Sequence, residues 1–278
     1  MNRNIASLVA ACEKLGVKYR FYHNTQNLVG VEVSGREWLF INWATPLNPQ
    51  SLVQLCQDKD YFYNYYKDVV RMPKTEAFLN PYSDAKYEHY LHRRSIFEII
   101  EYVEEHFQYP LIVKKNRGSW GTNVFKVENL QELEQALLHI FNMYSASFDY
   151  VALVQEYIEF EKEFRAIFLN SEFIFAYEKI IEGAQFSNNL SPLHWEGSRA
   201  EFIEKGEEQN AIIELCKPLF EKLEIPFCGV DIVKSRNGEY VLIEANSSPG
   251  FDHIIKHQGN KRIIALYEQI LKSLEVYR

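Results

Sequence analysis

Apolar residues recur along this chain with two different periods. Ile5, Leu8, Val9, Cys12 and Leu15 fall at i, i+3, i+4, i+7 and i+10, the stripe of an amphipathic helix. Residues 17–22, Leu28–Val33 and Arg36–Ile41 read as short strands, the last two joined by a tight turn at Ser34-Gly35. Pro46 and Pro49 punctuate a connector. The spacing then predicts one helix over residues 51–70, with Leu52, Leu55, Cys56 and Phe62 on one side and an end near Pro73. Residues 80–94, rich in Tyr, His and Arg, read as a loop or ragged helix.

From Ser95 the pattern is cleaner. Ile96, Ile99, Ile100, Val103 and Phe107 predict a helix, Leu111–Lys115 a buried strand, and Val124–Val127 a second strand after a glycine loop. Asn129 with Glu132 is a helix N-cap and its reciprocal carboxylate, opening a stripe of Leu130, Leu133, Leu137 and Ile140. Val151–Glu156 is a third strand, and residues 163–169 and 172–178 pair as a hairpin across Asn170-Ser171. A helix over 208–223 precedes a last hairpin, 228–234 with 239–245, turning at Asn237-Gly238, and a terminal helix closes the chain. The order predicts a small α/β unit over residues 1–57 and a larger α+β body over 58–278.

Composition narrows the classes. At 278 residues with 47% hydrophobic and 24% charged positions, the chain can bury a sizeable core, and disorder or low complexity is excluded. A net charge of −8 argues against nucleic acid held by bulk attraction. Cys12, Cys56, Cys216 and Cys228 show no CxxC spacing and read as reduced, in a cytoplasmic protein. No apolar run reaches the ~18 residues of a membrane span, so neither membrane nor nucleic acid is expected as a partner. Arg3, an apolar stretch and Cys12 loosely mimic a lipoprotein signal, but Ser7 interrupts it and the helical stripe accounts for it better.

Three stretches carry candidate chemistry. A ladder turning at Asn237-Gly238 pairs Asp231 with a residue near Glu244, while Glu244 and Asn246, two apart, leave one face of the strand. Two carboxylates and an amide oxygen therefore converge, a donor set suited to Mg²⁺ or Mn²⁺ with positions left open for phosphates; a solvated strand end is the bland alternative. The segment from Lys114 through Gly118, Ser119, Trp120 and Gly121 places a buried lysine before a loop whose amides can approach an anion. No Walker loop and no GxGxxG is present. Finally, Gln155-Glu156-Tyr157-Ile158 ends a strand, leaving backbone groups free to read an adenine edge, ahead of the charged run leading to Glu163 and Arg165.

The order lysine strand, glycine loop, QEYI, EFR, GVDI and EANSSPG resembles the motif series of the ATP-grasp superfamily, over roughly residues 50–260. It closely resembles the branch that includes ribosomal-protein glutamate ligases, lysine-biosynthesis ligases and cyanophycin-synthetase-like enzymes. The resemblance implies two α+β lobes clasping ATP, here a lid lobe near 95–156 and a C-terminal lobe near 157–278, behind a shortened N-terminal unit. It implies an ATP-dependent carboxylate–amine ligase acting through an acyl-phosphate, with small-molecule or peptide acids and amines as substrates, and it leaves room for a homo-oligomer. It also implies roles: Lys59 and Lys114 on ATP phosphates, Gly118, Ser119 and Gly121 in the lid, and Gln155, Glu156, Tyr157 and Ile158 as the hinge at adenine. Glu163 would meet the ribose, Arg165 and Lys179 the transferring phosphoryl group, Asp231, Glu244 and Asn246 a divalent cation, and Asn188 or Asn189 the substrate. A non-catalytic ATP-binding accessory protein and a phosphotransferase on the same fold are the competing readings.

Overall fold

The computed structural model describes residues 1–118, 121–187 and 189–276. Its first elements are α1 (Arg3–Leu15), β1 (Tyr19–Phe21), β2 (Leu28–Val33) and β3 (Arg36–Ile41), the strands forming a three-stranded antiparallel sheet. The β2–β3 turn puts both Ser34 and Gly35 at positive φ, the two-residue geometry that matches strand twist. Helix α1 is capped by the Asn2 side chain and stopped by Gly16 at φ 68°.

The expected single helix over 51–70 is instead two, α2 (Gln50–Gln57) and α3 (Lys59–Tyr66). Asp58 takes an extended conformation and its carboxylate accepts the Tyr61 N–H, so it caps a new helix and ends the old one. Strand β4 (Thr75–Leu79), which the apolar pattern does not predict, follows, then a 3₁₀ turn over Ala85–Tyr90 in the stretch that periodicity left unplaced.

The lid sheet has the order β4-β7-β5-β6, with β5 (Leu111–Lys115), β6 (Val124–Val127) and β7 (Val151–Glu156) all antiparallel to their neighbours. Helices α4 (Ile96–His106) and α5 (Leu130–Ile140) cover it through Ile99, Val103, Leu133 and Leu137, each fully buried. The Asn129 cap forms as expected, while the Glu132 carboxylate reaches back to the Glu128 N–H.

The central sheet has the order β10-β9-β8-β11-β12, built from β8 (Phe160–Leu169), β9 (Glu172–Ile180), β10 (Arg199–Phe202), β11 (Phe227–Ser235) and β12 (Tyr240–Asn246). Strand β10, a four-residue edge, is likewise unpredicted by the pattern. Asn170 and Ser171 turn β8 into β9 with both at positive φ. At the β11–β12 connection only Gly238 is left-handed, so the link is a three-residue loop rather than a two-residue turn. The terminal helix is two, α7 (Asp252–Gln258) and α8 (Lys261–Leu274), parted by Gly259 at φ 74°.

Alternation along β8 and β11 gives the central sheet two faces. Phe164, Ala166, Cys228, Val230 and Ile232 pack beneath α6 (Glu207–Lys222), α2 and α3. On the other face, Ile167, Leu169, Phe175 and Tyr177 share one core with α1, α8 and the three-stranded sheet. Toward the far ends of the same strands that face turns from apolar to charged.

Candidate active site

The charged end of this face is assembled by register. Asp231 on β11 lies opposite Arg165 on β8 and Glu244 on β12, the pairing expected from the hairpin. Arg165 and Glu163 are two apart on β8, Lys179 projects from neighbouring β9, and Asn246 is two beyond Glu244. The Arg165 fork donates to both Asp231 oxygens, Nε at 2.8 Å and a terminal nitrogen at 2.6 Å. Lys179 Nζ lies 3.0 Å from Asp231 and pairs with Glu163. The Asn246 amide bridges Asp231 at 3.3 Å and Glu244 at 3.2 Å.

The lobes meet on the same spot. Lys59, the first residue of α3, reaches to 3.7 Å from Glu244 and donates at 2.6 Å to the carbonyl of Gly118 in the lid loop. A lysine at a helix N-terminus runs against the macrodipole, so its place is set by what it touches. Lys114 on β5 is buried and donates to Gln155 Oε1 at 2.9 Å; Gln155 in turn donates to Thr75 and Thr75 to the Pro73 carbonyl. Lys59, Met72, Thr75, Lys114, Gln155 and Ile243 line a pocket between the lid sheet and β12.

Electrostatics separate these groups. Burial penalises the Asp231 carboxylate, but Arg165 and Lys179 outweigh it and hold its pKa below the ordinary carboxylate range. Burial likewise opposes the Lys179 ammonium, and Asp231 and Glu163 raise it above the usual lysine value. Glu163 is pushed up by burial more than Lys179 can offset. Lys114 goes the other way: burial, against the pull of Glu244 and reinforced by Lys59, lowers it to about 8.

Most of the residues singled out by sequence therefore converge, and a few do not. Glu163 sits inside the charged cluster, held by Lys179. Glu156 is exposed and turned to the Lys74 N–H, away from the cluster. Tyr157 and Ile158 lie in the three-residue crossing from β7 of the lid sheet to β8 of the central sheet, with Lys126 over the Tyr157 ring. Gly121, at φ 65°, leaves no room for a Cβ beside the Asn189 Oδ1 and Ser191, so this end of the lid loop abuts the 189–191 segment while its Gly118 end meets Lys59. Asn189 itself accepts from the Ser191 N–H. Ser119, Trp120 and Asn188 lie outside the described residues.

Sequence reasoning missed Thr75, hidden in an unrecognised strand, and Asn116, whose buried amide oxygen accepts the Asp60 N–H at the start of α3. It also missed an interlock. A Cβ on Gly229 would lie 2.9 Å from the Pro249 ring, so the glycine of GVDI and the proline of SSPG are a packed pair. The two motifs carry the signal, because the hairpin register brings one toward the other.

For a divalent cation the donors fit. The Asn246 amide lies within 3.3 Å of both the Asp231 and the Glu244 carboxylates, and a half-turn of that amide presents its oxygen to the same spot. Among the described residues no group of three or more His, Cys, Asp or Glu is arranged to hold a metal ion.

Two lobes of antiparallel sheet facing each other across lysines and an oxygen-donor triad define an ATP-grasp fold. The chain belongs to the RimK-like ATP-grasp domain family, which matches residues 88–273. It is 28% identical over 166 residues to a probable alpha-L-glutamate ligase of Vibrio atlanticus (strain LGP32), covering 59% of this chain and 51% of that protein. It is 30% identical over 168 residues to one of Vibrio vulnificus (strain YJ016), with the same shares. The fold is that of the VanG D-Ala:D-Ser ligase from Enterococcus faecalis, with a TM-score of 0.55 at 20% identity over 79% of this chain and 61% of that one. The chain spans about half the length of the curated relatives it matches. Among the described residues no helix is long and apolar enough to cross a membrane.

Proposed function

We propose that this chain is an ATP-dependent carboxylate–amine ligase. The carboxylate of one substrate attacks the γ-phosphate of ATP, ADP leaves, and the amine of a second substrate displaces phosphate from the acyl-phosphate to form an amide. The family's named relatives make glutamate the first amino acid to test. One observation carries the reading: Glu163, Lys179, Arg165, Asp231, Asn246, Glu244, Lys59 and the Gly118 carbonyl form one unbroken run of polar contacts from the central sheet to the lid loop.

Phosphoryl transfer needs charge neutralisation and alignment more than covalent help. In this reading Lys59 and Lys114 hold ATP phosphates, Lys59 exchanging its Gly118 and Glu244 partners for them. Arg165 supplies a planar fork and Lys179 a point charge where the phosphoryl group moves. Asp231, Glu244 and Asn246 would hold Mg²⁺ or Mn²⁺, which supplies charge neutralisation at the triphosphate. Gln155 to Ile158 border the adenine end, and the loop through Gly118 and Gly121 excludes water from the mixed anhydride. Residues 1–57 act as a small unit beside the ATP-grasp body 58–278. The protein works in the cytoplasm, with neither nucleic acid nor membrane as a partner.

The test is ADP release on adding ATP, Mg²⁺ and pooled amino acids and peptides, with mass spectrometry of the products. An amide heavier than its acid by the amine less water is expected. Full turnover by Asp231→Ala or Asn246→Ala would overturn the metal assignment, and a stable phosphorylated end product would replace ligase with phosphotransferase.

A further inference from the structure

The segment 247–251 joins β12 to α7 directly after Asn246. Within it Ser247 and Phe251 are buried; the Phe251 carbonyl accepts the Ile255 N–H as α7 begins, while the peptide groups at Ser247, Pro249 and the Phe251 N–H are met by side chains. Two asparagines from the first fifty residues meet it. Asn4, in the first turn of α1 and completely buried, donates to the Pro249 carbonyl at 3.0 Å and accepts the Phe251 N–H at 3.0 Å. Its single amide thereby reads the backbone on both sides of Gly250. Asn48, in the connector before α2, donates to the Ser247 carbonyl at 3.0 Å and the Phe227 carbonyl at 2.7 Å, and accepts the Phe227 N–H at 3.0 Å. It ties the loop to the start of β11, the strand that carries Asp231. Between these anchors Pro249 rests on Gly229.

A carboxamide is the side chain that matches a peptide group in both directions, donating and accepting at once. A buried carbonyl left without a donor is costly, so removing either amide forces the loop to move or to admit water. Because Asn246 immediately precedes the segment and Asp231 lies four residues beyond Phe227, such a movement falls on the oxygen-donor triad. Neither asparagine lines the lid pocket, which is bounded by Met72 and residues of α2, α3, β4, β5, β7 and β12.

We propose that Asn4 and Asn48 are positioning residues: the N-terminal unit holds the 247–251 loop in register with β11 and so sets the spacing of Asp231, Glu244 and Asn246. The assignment rests on the ligase reading, in which those three residues hold a divalent cation. Asn48→Asp is the sharpest probe. It keeps the acceptor for the Phe227 N–H but sets a carboxylate against two carbonyls, at a half-buried position.

The experiment titrates Mn²⁺ into the ADP-bound full chain, reading bound ion by electron paramagnetic resonance, with ADP affinity measured separately in the absence of metal. Asn48→Asp and Asn4→Ala are expected to weaken Mn²⁺ binding about tenfold or more while metal-free ADP affinity stays within twofold; turnover falls with kcat rather than with the KM for ATP. Asn4→Ala removes a fully buried amide, so Asn48→Asp carries the test alone if that variant does not fold. Mn²⁺ binding by Asn48→Asp equal to wild type would overturn the positioning role, leaving a purely structural one. Wild-type protein that binds ADP but no Mn²⁺ would overturn both this inference and the metal assignment beneath it.

Discussion

One face of the central sheet is two environments end to end. Ile167, Leu169, Phe175 and Tyr177 bury into the core shared with α1 and α8, while Glu163, Arg165, Lys179 and Asp231, on the same strands and the same face, form a nearly dry charged cluster. Each half carries one register shift, on β8–β9 beside Ile167 and on β11–β12 beside Asp231, so both are irregular strand pairs on one face. What differs is the cost of being there. The apolar half gains free energy by leaving water, about 25 cal/mol per Å². The charged half loses solvation that its internal pairs only partly return. Such a cluster is weak as a stabilising device, which is why a functional reading suits it better than a structural one.

The largest effect expected from breaking this contrast comes from Asp231→Ala. It leaves Arg165 and Lys179 buried side by side with Glu163 as their remaining partner, and the cost should be about 3–5 kcal/mol, with turnover abolished. Ile167→Ala, in the apolar half, should cost a comparable 2–5 kcal/mol by leaving a cavity, yet spare Mn²⁺ binding. Urea denaturation beside metal titration separates the two, and equal metal affinity in both variants would erase the division. The sign with pH follows from the lowered pKa of Asp231. Its contribution is fully present above the unfolded value near 4, and it is lost as pH falls through the still lower folded value.

Lys114 makes the opposite case, a buried cation whose main partner is a neutral amide. Its folded pKa of about 8 lies below the ordinary 10.5, so between these values the unfolded chain binds more protons than the folded one. Stability should therefore rise across that window by roughly 3 kcal/mol in total, since each pH unit separating the two values is worth about 1.36 kcal/mol. The rise should vanish in Lys114→Met, the comparison that removes the other lysines and tyrosines titrating there. Affinity for ATP should run the other way, falling as pH climbs past about 8 and the ammonium is lost. Parallel stability curves for wild type and Lys114→Met would show that burial is not depressing this group.

Gly229 marks the border between the halves. A methyl there would press on Pro249 at 2.9 Å and on the Ile167 side chain at 3.3 Å. Overpacking of this kind costs about 1–3 kcal/mol. Gly229→Ala should thus lower the urea midpoint modestly and also weaken Mn²⁺ binding, since Pro249 belongs to the loop beside Asn246. A stability loss with untouched metal affinity would confine the interlock to packing.

How much of this was readable beforehand follows the reach of each signal. The hairpin itself was legible from its turn, but the meeting of Asp231 with Glu244 depends on a feature the pattern does not show: the three-residue loop pairs Ile232 with Leu242, and a β-bulge between Asp231 and Ile232 then sets Asp231 against Glu244. The lid strand, its lysine and the helices around it were legible from unmixed periodicity. Asp58 broke a predicted helix because capping is a local choice that apolar spacing does not record. Strands β4 and β10 were invisible because each is short, and β4 also takes its partner from a distant segment, so Thr75 was lost with it. Asn4 and Asn48 left no trace in the pattern, since their bonds span 245 and 199 positions to the 247–251 loop. The pairing of Arg165 with Asp231 was foreseen only as two separate roles, one facing phosphate and one facing metal. Register puts them opposite each other, so each holds the other's charge.

The smallest effect tests whether burial, and not the ion pair as such, makes the charged half distinctive. Lys14 and Glu268 join α1 to α8 on the rim of the apolar half at 2.6 Å, the same distance as the closer arm of Arg165 to Asp231. The Lys14 side chain, however, is 64% exposed, against 19% for Arg165. Water and salt screen the exposed pair, and ordering a long lysine side chain offsets part of the gain, so a double-mutant cycle with Lys14→Ala and Glu268→Ala should give a coupling of about 0.2–1 kcal/mol. Raising NaCl to roughly 1 M, where the Debye length is about 3 Å, should remove most of it. The same cycle on Arg165 and Asp231 should return several-fold more and change little with salt. Equal couplings at the two sites would mean that water reaches the cluster as freely as it reaches the rim, and the sheet face would be one environment after all.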